Sequence, residues 1–341
     1  MAATPRPGRG TNLALLVLLA GAFVTGWVAF GVGVPSGARA VAVLHGVLGL
    51  GILVLAPWKR VIVRRGLRRR RSHTDAVALG LVLALSLLTG VVHSTVGPLQ
   101  LGGVSVLAVH VASAVGAVVL GVAHVVRRPQ RVRRSDLSRR TAMRALALGG
   151  ATTLTYAALS SATSLARLPG GRRRQTGSYE HGSGDPSAVP VTQWFTDGVP
   201  AIEPAAYELR VDRPGVPQQR IAYAALLAMA ATTRAEIIDC TGGWWSEQTW
   251  RGVPLEALLG PLDGGSIVVR SVTGYTRRLP AADVADLVLA THMGGVPLTA
   301  GHGGPVRLVA PGRRGFWWVK WVDRVSVDDH PSWAQSPFPL Q

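Results

Sequence analysis

The stretch AVALGLVLALSLLTGVVHSTVGPLQLGGVSVLAVHVASAVGAVVLGVAHVV, residues 76–126, contains no Asp, Glu, Lys or Arg. It is too long for one bilayer crossing, which needs roughly 20 apolar residues. Gly97-Pro98 and Gly102-Gly103 in its middle are helix breakers. The stretch therefore reads as two membrane helices joined by a short uncharged turn. Working outward, Leu13–Val34 and Ala40–Trp58 give two further spans, and Ala145–Ala166, with several Thr and Ser, gives a fifth. The expected architecture is a four-helix membrane bundle over 1–134, a fifth, tethering helix within 135–168, a linker over 169–192, and a separate domain over 193–341.

Charge supports this division. The chain carries 36 Lys+Arg against 18 Asp+Glu, a formal net charge of +18. Residues 1–174 hold 23 basic and 2 acidic side chains, a net +21, and residues 175–341 hold 13 and 16, a net −3. The basic half is the one with the apolar spans, and a nucleic-acid module does not alternate arginine clusters with membrane-length segments, so nucleic acid is excluded as a partner. Lys59–Arg71 and Arg127–Arg144 each hold eight basic residues, whereas the loops at 35–38 and 97–103 hold none. Arginine-rich loops stay cytoplasmic, which places the N-terminus on the inner side of the cytoplasmic membrane and, after a fifth crossing, residues 175–341 outside. Ser138-Arg139-Arg140-Thr141-Ala142-Met143-Arg144, followed by a mildly apolar run, resembles an internal twin-arginine export signal and implies that export machinery as a partner beside the general membrane-insertion machinery. Simple positive-inside arginine is the plainer alternative.

His45, His93, His110 and His124 stand within the apolar helices, where an ionisable residue points to function by default. A helix–helix hydrogen bond is the plainer reading of any one of them. His45, His93 and His110 fall at one level, close to the outer face. His110 and His124 are fourteen residues apart, about 21 Å of helical rise, and project from one face. A helix offering imidazoles at two depths resembles the four-helix b-type cytochromes, which implies haem b, one group or two, held by His pairs. The outer pair would be His45 and His110, with His93 as substitute or neighbour. An inner site at His124 lacks an evident partner: Lys59 stands where one is needed, and His73 lies at the helix end.

Beyond the Gly-, Ser- and Arg-rich segment Gly170–Pro190, short apolar runs are punctuated by Gly and Pro. Strands are expected at Tyr207–Val211, Glu236–Asp239, Ser266–Val272, Leu287–Ala290, Val306–Ala310, Trp317–Val322 and Arg324–Val327, and helices at Tyr223–Ala231 and Leu255–Leu259. That pattern gives a mixed α/β domain and no more. The motifs are more specific. Ile237-Ile238-Asp239-Cys240-Thr241-Gly242-Gly243-Trp244 leads to Trp250-Arg251-Gly252-Val253-Pro254-Leu255. Ser271-Val272-Thr273-Gly274-Tyr275 follows, then His302-Gly303-Gly304-Pro305-Val306-Arg307-Leu308-Val309, Pro311-Gly312-Arg313-Arg314-Gly315 and Val319-Lys320-Trp321. This series resembles the sulfite-oxidase-like molybdopterin domain from about Gln193 to Val327, in family order.

A single Cys excludes a disulfide framework and any cysteine-rich metal site, while one thiolate is a soft ligand suited to a metal. The resemblance implies that Cys240 is the protein ligand to molybdenum, and that His302, Arg307 and Lys320 hold a molybdopterin-type cofactor, with Gly303 and Gly304 shaping the turn. Trp250, Trp317, Trp318 and Trp321 read as packing. Animal and plant sulfite oxidases carry a basic cluster for sulfite. Here Cys240 is followed by Thr-Gly-Gly-Trp-Trp and the upstream segment is Thr196-Asp197-Gly198, which weighs against sulfite. The chain ends soon after Val327, so the C-terminal dimerisation domain of those enzymes is not expected. In this economy the chain is more similar to the bacterial periplasmic methionine sulfoxide reductases. The expected activity is a molybdenum oxidoreductase exchanging electrons with membrane quinone or quinol through haem b and acting on a small S- or N-oxide-like molecule. A cofactor-free binding module, or a transport or assembly protein with proton-relaying histidines, are the competing readings.

Overall fold

A computed structural model describes residues 8–31, 35–67, 74–129, 133–193 and 198–336. His73, Thr196-Asp197 and the Arg68–Arg71 run lie outside the described residues. The main division of the chain falls between Tyr179 and Glu180, and each unit is built on its own logic.

In the first unit, α1 (Arg9–Gly31), α2 (Pro35–Leu67), α3 (Thr74–Thr95) and α4 (Val106–Arg127) are each long and apolar enough to cross a membrane. Their outer faces keep large apolar side chains uncovered, among them Val17, Leu81, Leu88 and Val119. Such surface costs roughly 25 cal/mol per Å² in water. α3 and α4 are joined by a hairpin of β1 (Gln100–Leu101) and β2 (Val104–Ser105). Gly97, Gly102 and Gly103 take positive φ there, which fulfils the expected break. Ser105 then caps α4, its hydroxyl accepting from the Ala108 N–H at 3.1 Å.

Two expectations are corrected in this unit. α2 does not stop at Trp58 but continues through Pro57 to Leu67, so Lys59, Arg60, Arg64 and Arg65 extend the helix instead of forming a loop. α5 (Arg139–Leu165) is a helix, capped by Ser138. Arg139, Arg140 and Arg144 open it and Thr and Ser run through it, so it is less apolar than α1–α4. It packs on α2 where that helix is slimmest: a Cβ on Gly46 would meet the Tyr156 ring at 2.5 Å. The segment read as a linker is also structured. Gly170 sits so close to the end of α3 that a Cβ would approach the Ser94 carbonyl oxygen to 2.2 Å, and the Tyr179 hydroxyl donates to the His93 carbonyl.

β3 (Tyr179–Glu180) marks the boundary. The second unit carries β4 (Glu208–Arg213), β5 (Val216–Ala222), α6 (Tyr223–Met229), β6 (Thr232–Asp239), β7 (Trp244–Pro254), α7 (Leu255–Leu259), β8 (Ser266–Ser271), β9 (Thr276–Pro280), β10 (Val288–Met293), β11 (Val296–Pro297), β12 (Arg307–Val309) and β13 (Val322–Asp328). One sheet runs β5-β4-β13-β8-β9, with β13 parallel to β4. In the other, β10 lies between β7 and β12, β6 pairs with β7, and β11 folds back on β10. A single apolar core draws on both sheets, through Leu209, Ile267, Leu279, Leu289, Leu308 and Val322. β7 alternates in the manner of a half-buried strand, with Ser246, Gln248 and Trp250 inside and Glu247, Thr249 and Arg251 outside. Its polar inward residues hid it from hydropathy reading. The expected strand Trp317–Val322 is absent: Gly315–Trp317 form a 3-10 turn and regular strand resumes only at Val322.

Gly252 is where β7 meets β10 most closely, since a Cβ there would lie 2.1 Å from the Leu289 carbonyl oxygen. Backbone cannot yield as a side chain does. Gly252→Ala should therefore cost about 1–3 kcal/mol, read as a lowered urea midpoint by tryptophan fluorescence of the solubilised chain. An unchanged midpoint would contradict this packing.

Candidate functional site

β6 and β7 form a hairpin whose last pair is Asp239 with Trp245, and Cys240 occupies its turn. The Cys240 N–H donates to the Trp244 carbonyl at 2.8 Å and the Gly243 N–H to the Cys240 carbonyl at 3.1 Å. Gly243 has φ +90°, a conformation side chains rarely adopt. The Gly242 N–H points at Sγ from 3.3 Å. Cys240 faces a cavity of about 230 Å³ also lined by His302, Arg307, Lys320, Tyr275 and Trp318. Arg314 braces the turn from behind, paired with Asp239 and donating to the Cys240 carbonyl at 3.3 Å. Burial pushes the thiol up, while the Gly242 N–H and the charges of Arg314, Lys320 and Arg307 pull the other way. Metal binding at such a thiol releases its proton.

Arg307 is only 4% exposed. It donates to the carbonyls of His302 at 2.9 Å and Trp318 at 3.5 Å, and its Nε has no hydrogen-bond partner. Trp250 and Trp318 flank the guanidinium, and burial lowers it to about 10. No carboxylate pairs with it among the described residues. A buried cation in this state is costly until an anion arrives. Lys320 Nζ donates to the carbonyls of Thr192 and Gly301, at 2.9 and 2.6 Å. Gly303 lets the lysine stem pass: its φ is +100°, and a Cβ would meet Lys320 Cγ at 2.9 Å. The donor set suits a molybdopterin cofactor, with a soft thiolate for the metal and two cations for anionic phosphate.

The structure refines two expected roles. His302 lines the cavity, but its Nε2 lies 2.9 Å from the Val189 carbonyl and its Nδ1 2.9 Å from the Thr299 hydroxyl. Its nitrogens brace the wall, and burial lowers its pKa. Gly303 and Gly304 shape the turn without lining the cavity. Sequence reading gave no role to Thr192, Gln193, Ser271, Thr273 and Tyr275 and read Trp318 as packing; all six line the cavity. Tyr275 arrives through the β8–β9 turn, closed by the Ser271 N–H on the Tyr275 carbonyl at 2.8 Å. Only the motif Ser271–Tyr275 signalled it. Trp250 is packing, as expected, at 1% exposure.

In the membrane-type unit, the His45 and His110 rings lie 6.0 Å apart at 84°. His45 Nδ1 sits 2.9 Å from the Ala22 carbonyl and His110 Nδ1 2.8 Å from the Ser86 carbonyl. A carbonyl only accepts, so each Nδ1 carries the proton and each Nε2 keeps a lone pair, the tautomer a metal-binding imidazole needs. Gly26 and Gly90 make room: a Cβ would meet His45 Cε1 at 3.1 Å and His110 Cε1 at 2.9 Å. His93 is engaged differently, with Nε2 3.2 Å from the Gly177 carbonyl and its ring edge-on to Tyr179. His124 faces Asp75 at 3.4 Å, with Arg128 on the same carboxylate. No imidazole pair forms around it among the described residues.

Residues 196–336 match the family model described as "Oxidoreductase molybdopterin binding domain". Sulfite oxidase of Gallus gallus is 32% identical over 182 residues, covering 41% of this chain and 39% of that protein. An inducible NADH nitrate reductase of Glycine max is 32% identical over 107 residues, covering 25% of this chain and 12% of that one. The sulfane dehydrogenase SoxCD of Paracoccus pantotrophus is similar at 26% identity and a TM-score of 0.36, covering 39% of this chain and 40% of its own. The chain thus spans two fifths or less of the length of these relatives. Its C-terminal part is similar to molybdopterin oxidoreductase domains, that of sulfite oxidase among them.

Proposed function

We propose that the chain is a membrane-bound oxidoreductase that exchanges electrons with membrane quinone or quinol through a haem b held by His45 and His110, and uses a molybdopterin centre ligated by Cys240. The Cys240 turn carries this reading: the chain's single thiol faces a cavity whose buried Arg307 has no carboxylate partner among the described residues. When bound, the molybdenum group supplies two-electron oxygen-atom transfer. The chain's own residues hold and orient it. Cys240 gives the thiolate, Arg307 and Lys320 take the anionic groups, and His302 fixes the wall on Val189. Apart from those cations, the wall formed by the described residues is uncharged, with Ser271, Thr273, Tyr275 and Trp244. This favours a small S- or N-oxide over sulfite. The charge distribution supports an extracytoplasmic domain, with Arg139-Arg140 read by twin-arginine machinery.

Two tests follow. Cys240→Ser replaces a soft ligand by a harder, poorer donor while remaining nearly isosteric. Protein matured with molybdenum should keep most of its pterin, and artificial-donor-driven reduction of S- and N-oxides should fall by more than the roughly 10–100-fold typical for losing a group that merely orients a ligand. Wild-type protein without molybdenum, or a serine variant at wild-type turnover, would refute the ligand role. In the membrane unit, a His45→Ala, His110→Ala double variant should lose the reduced-minus-oxidised b-type absorbance. An unchanged spectrum would remove the pair from consideration.

A further inference from the structure

We infer that Lys59, His124 and Arg128 form a binding site for the phosphate of an anionic phospholipid, at the arginine-rich end of the four long helices. This rests on the membrane reading of α1–α4 above and gives that end of the bundle a lipid partner. All four helices contribute there. Lys59 of α2 donates through Nζ to Asn12 Oδ1 of α1 at 2.9 Å. His124 in the last turn of α4 and Arg128 just beyond it share Asp75, in the first turn of α3. His124 Nδ1 lies 3.4 Å from Oδ2, and Arg128 Nη2 lies 3.6 Å from Oδ1. The charge on Lys59 is close enough to act on both His124 and Arg128.

What sets the cluster apart is a shortage of anions. Residues 1–174 hold only two carboxylates, Asp75 and Asp136, and Asp136 is held by two nitrogens of Arg9. One carboxylate therefore serves two permanent cations and an imidazole. It serves them loosely, since charged pairs in direct contact close to roughly 2.7–2.9 Å and both distances to Asp75 are longer. His124 Nδ1 is buried without a hydrogen bond among the described residues. The Lys59 ammonium has three N–H donors, and Asn12 takes only one of them. Beside these cations Trp58, Val61, Val122 and Val126 are exposed, and tryptophan favours the level of lipid headgroups. The ligand that fits carries an anion rich in acceptor oxygens next to an apolar body. A phospholipid of net negative charge meets both conditions. A zwitterionic lipid brings its own cation to the same place and is disfavoured.

The measurement is equilibrium binding of a short-chain fluorescent phosphatidylglycerol to the full-length protein in uncharged detergent. Binding should saturate, exceed that of the matching phosphatidylcholine about tenfold, and survive millimolar inorganic phosphate. Lys59→Gln should weaken it about fivefold, the share of one basic side chain near an anionic lipid surface. Asn12→Ala breaks the bond to Lys59 but leaves the cation, so affinity should stay within about twofold of wild type. Asp75→Asn removes the competing carboxylate and should tighten binding about threefold. Arg64→Gln with Arg65→Gln takes twice the charge from the same helix outside the cluster, and should cost less affinity than Lys59→Gln. Equal affinity for the two lipids, displacement by inorganic phosphate, no loss in Lys59→Gln, or a larger loss in the Arg64, Arg65 variant would overturn the site. So would a loss in Asn12→Ala equal to that in Lys59→Gln, or no gain in Asp75→Asn, either of which makes the cluster a clamp between helices. Recovery of the protein from the soluble fraction of cells would instead bring down the membrane reading itself, which separates the two failures.

Discussion

Arg314 and Asp239 are both nearly excluded from solvent, and their ion pair ties the Pro311–Gly315 loop to the last residue of β6. Cys240 comes next in the chain, and Arg314 also holds its carbonyl. The thiol therefore sits where two distant loops are pinned together. Gly315 allows the approach, since a Cβ there would come within 3.1 Å of Cys240 Cα. A buried pair of this kind adds little net stability, but removing one partner leaves an unpaired buried charge, which typically costs about 3–5 kcal/mol. The pair fixes position, and the position of Cys240 is what the cavity is built around.

The electrostatics of that cavity are arranged for a guest. Arg307 satisfies two N–H groups on backbone carbonyls, and no carboxylate among the described residues compensates its charge. Lys320 is held by two more carbonyls. Carbonyl oxygens orient a cation without neutralising it, so the site keeps its positive potential for a cofactor that brings thiolate-bound metal and phosphate. Among the described residues, the remaining wall of hydroxyls and aromatic rings adds no further charge.

The unit of long apolar helices buries neutral groups instead. Three histidines are each fixed by a backbone carbonyl, but not through the same nitrogen. His45 and His110 are bonded through Nδ1, which leaves the lone pair on Nε2, and His93 through Nε2, which leaves it on Nδ1. In apolar surroundings a neutral imidazole can be held without the cost of burying a charge, and the choice of nitrogen sets its chemistry. At the other end of α4, His124 is turned to Asp75 and belongs to a polar cluster.

Hydropathy and punctuation are local properties, so the four spans, the break at Gly97–Gly103, α7 and the solitary thiol were all legible in the residues themselves. The turn around Cys240 was legible in part, through Gly242-Gly243. What the sequence could not decide rests on partners far along the chain. β7 looked like no strand because Ser246 and Gln248 point inward. Trp317–Val322 looked like a strand, but Lys320 and Trp318 are directed by carbonyl and cavity contacts and not by a β ladder. Lys320 meets Thr192 across 128 positions, Arg314 meets Asp239 across 75, and the His45 tautomer is set by Ala22, 23 residues away on another helix. Residue type supplies the chemistry available to a side chain. Which nitrogen is free, or which charge is left without a counter-ion, depends on the groups that folding brings beside it.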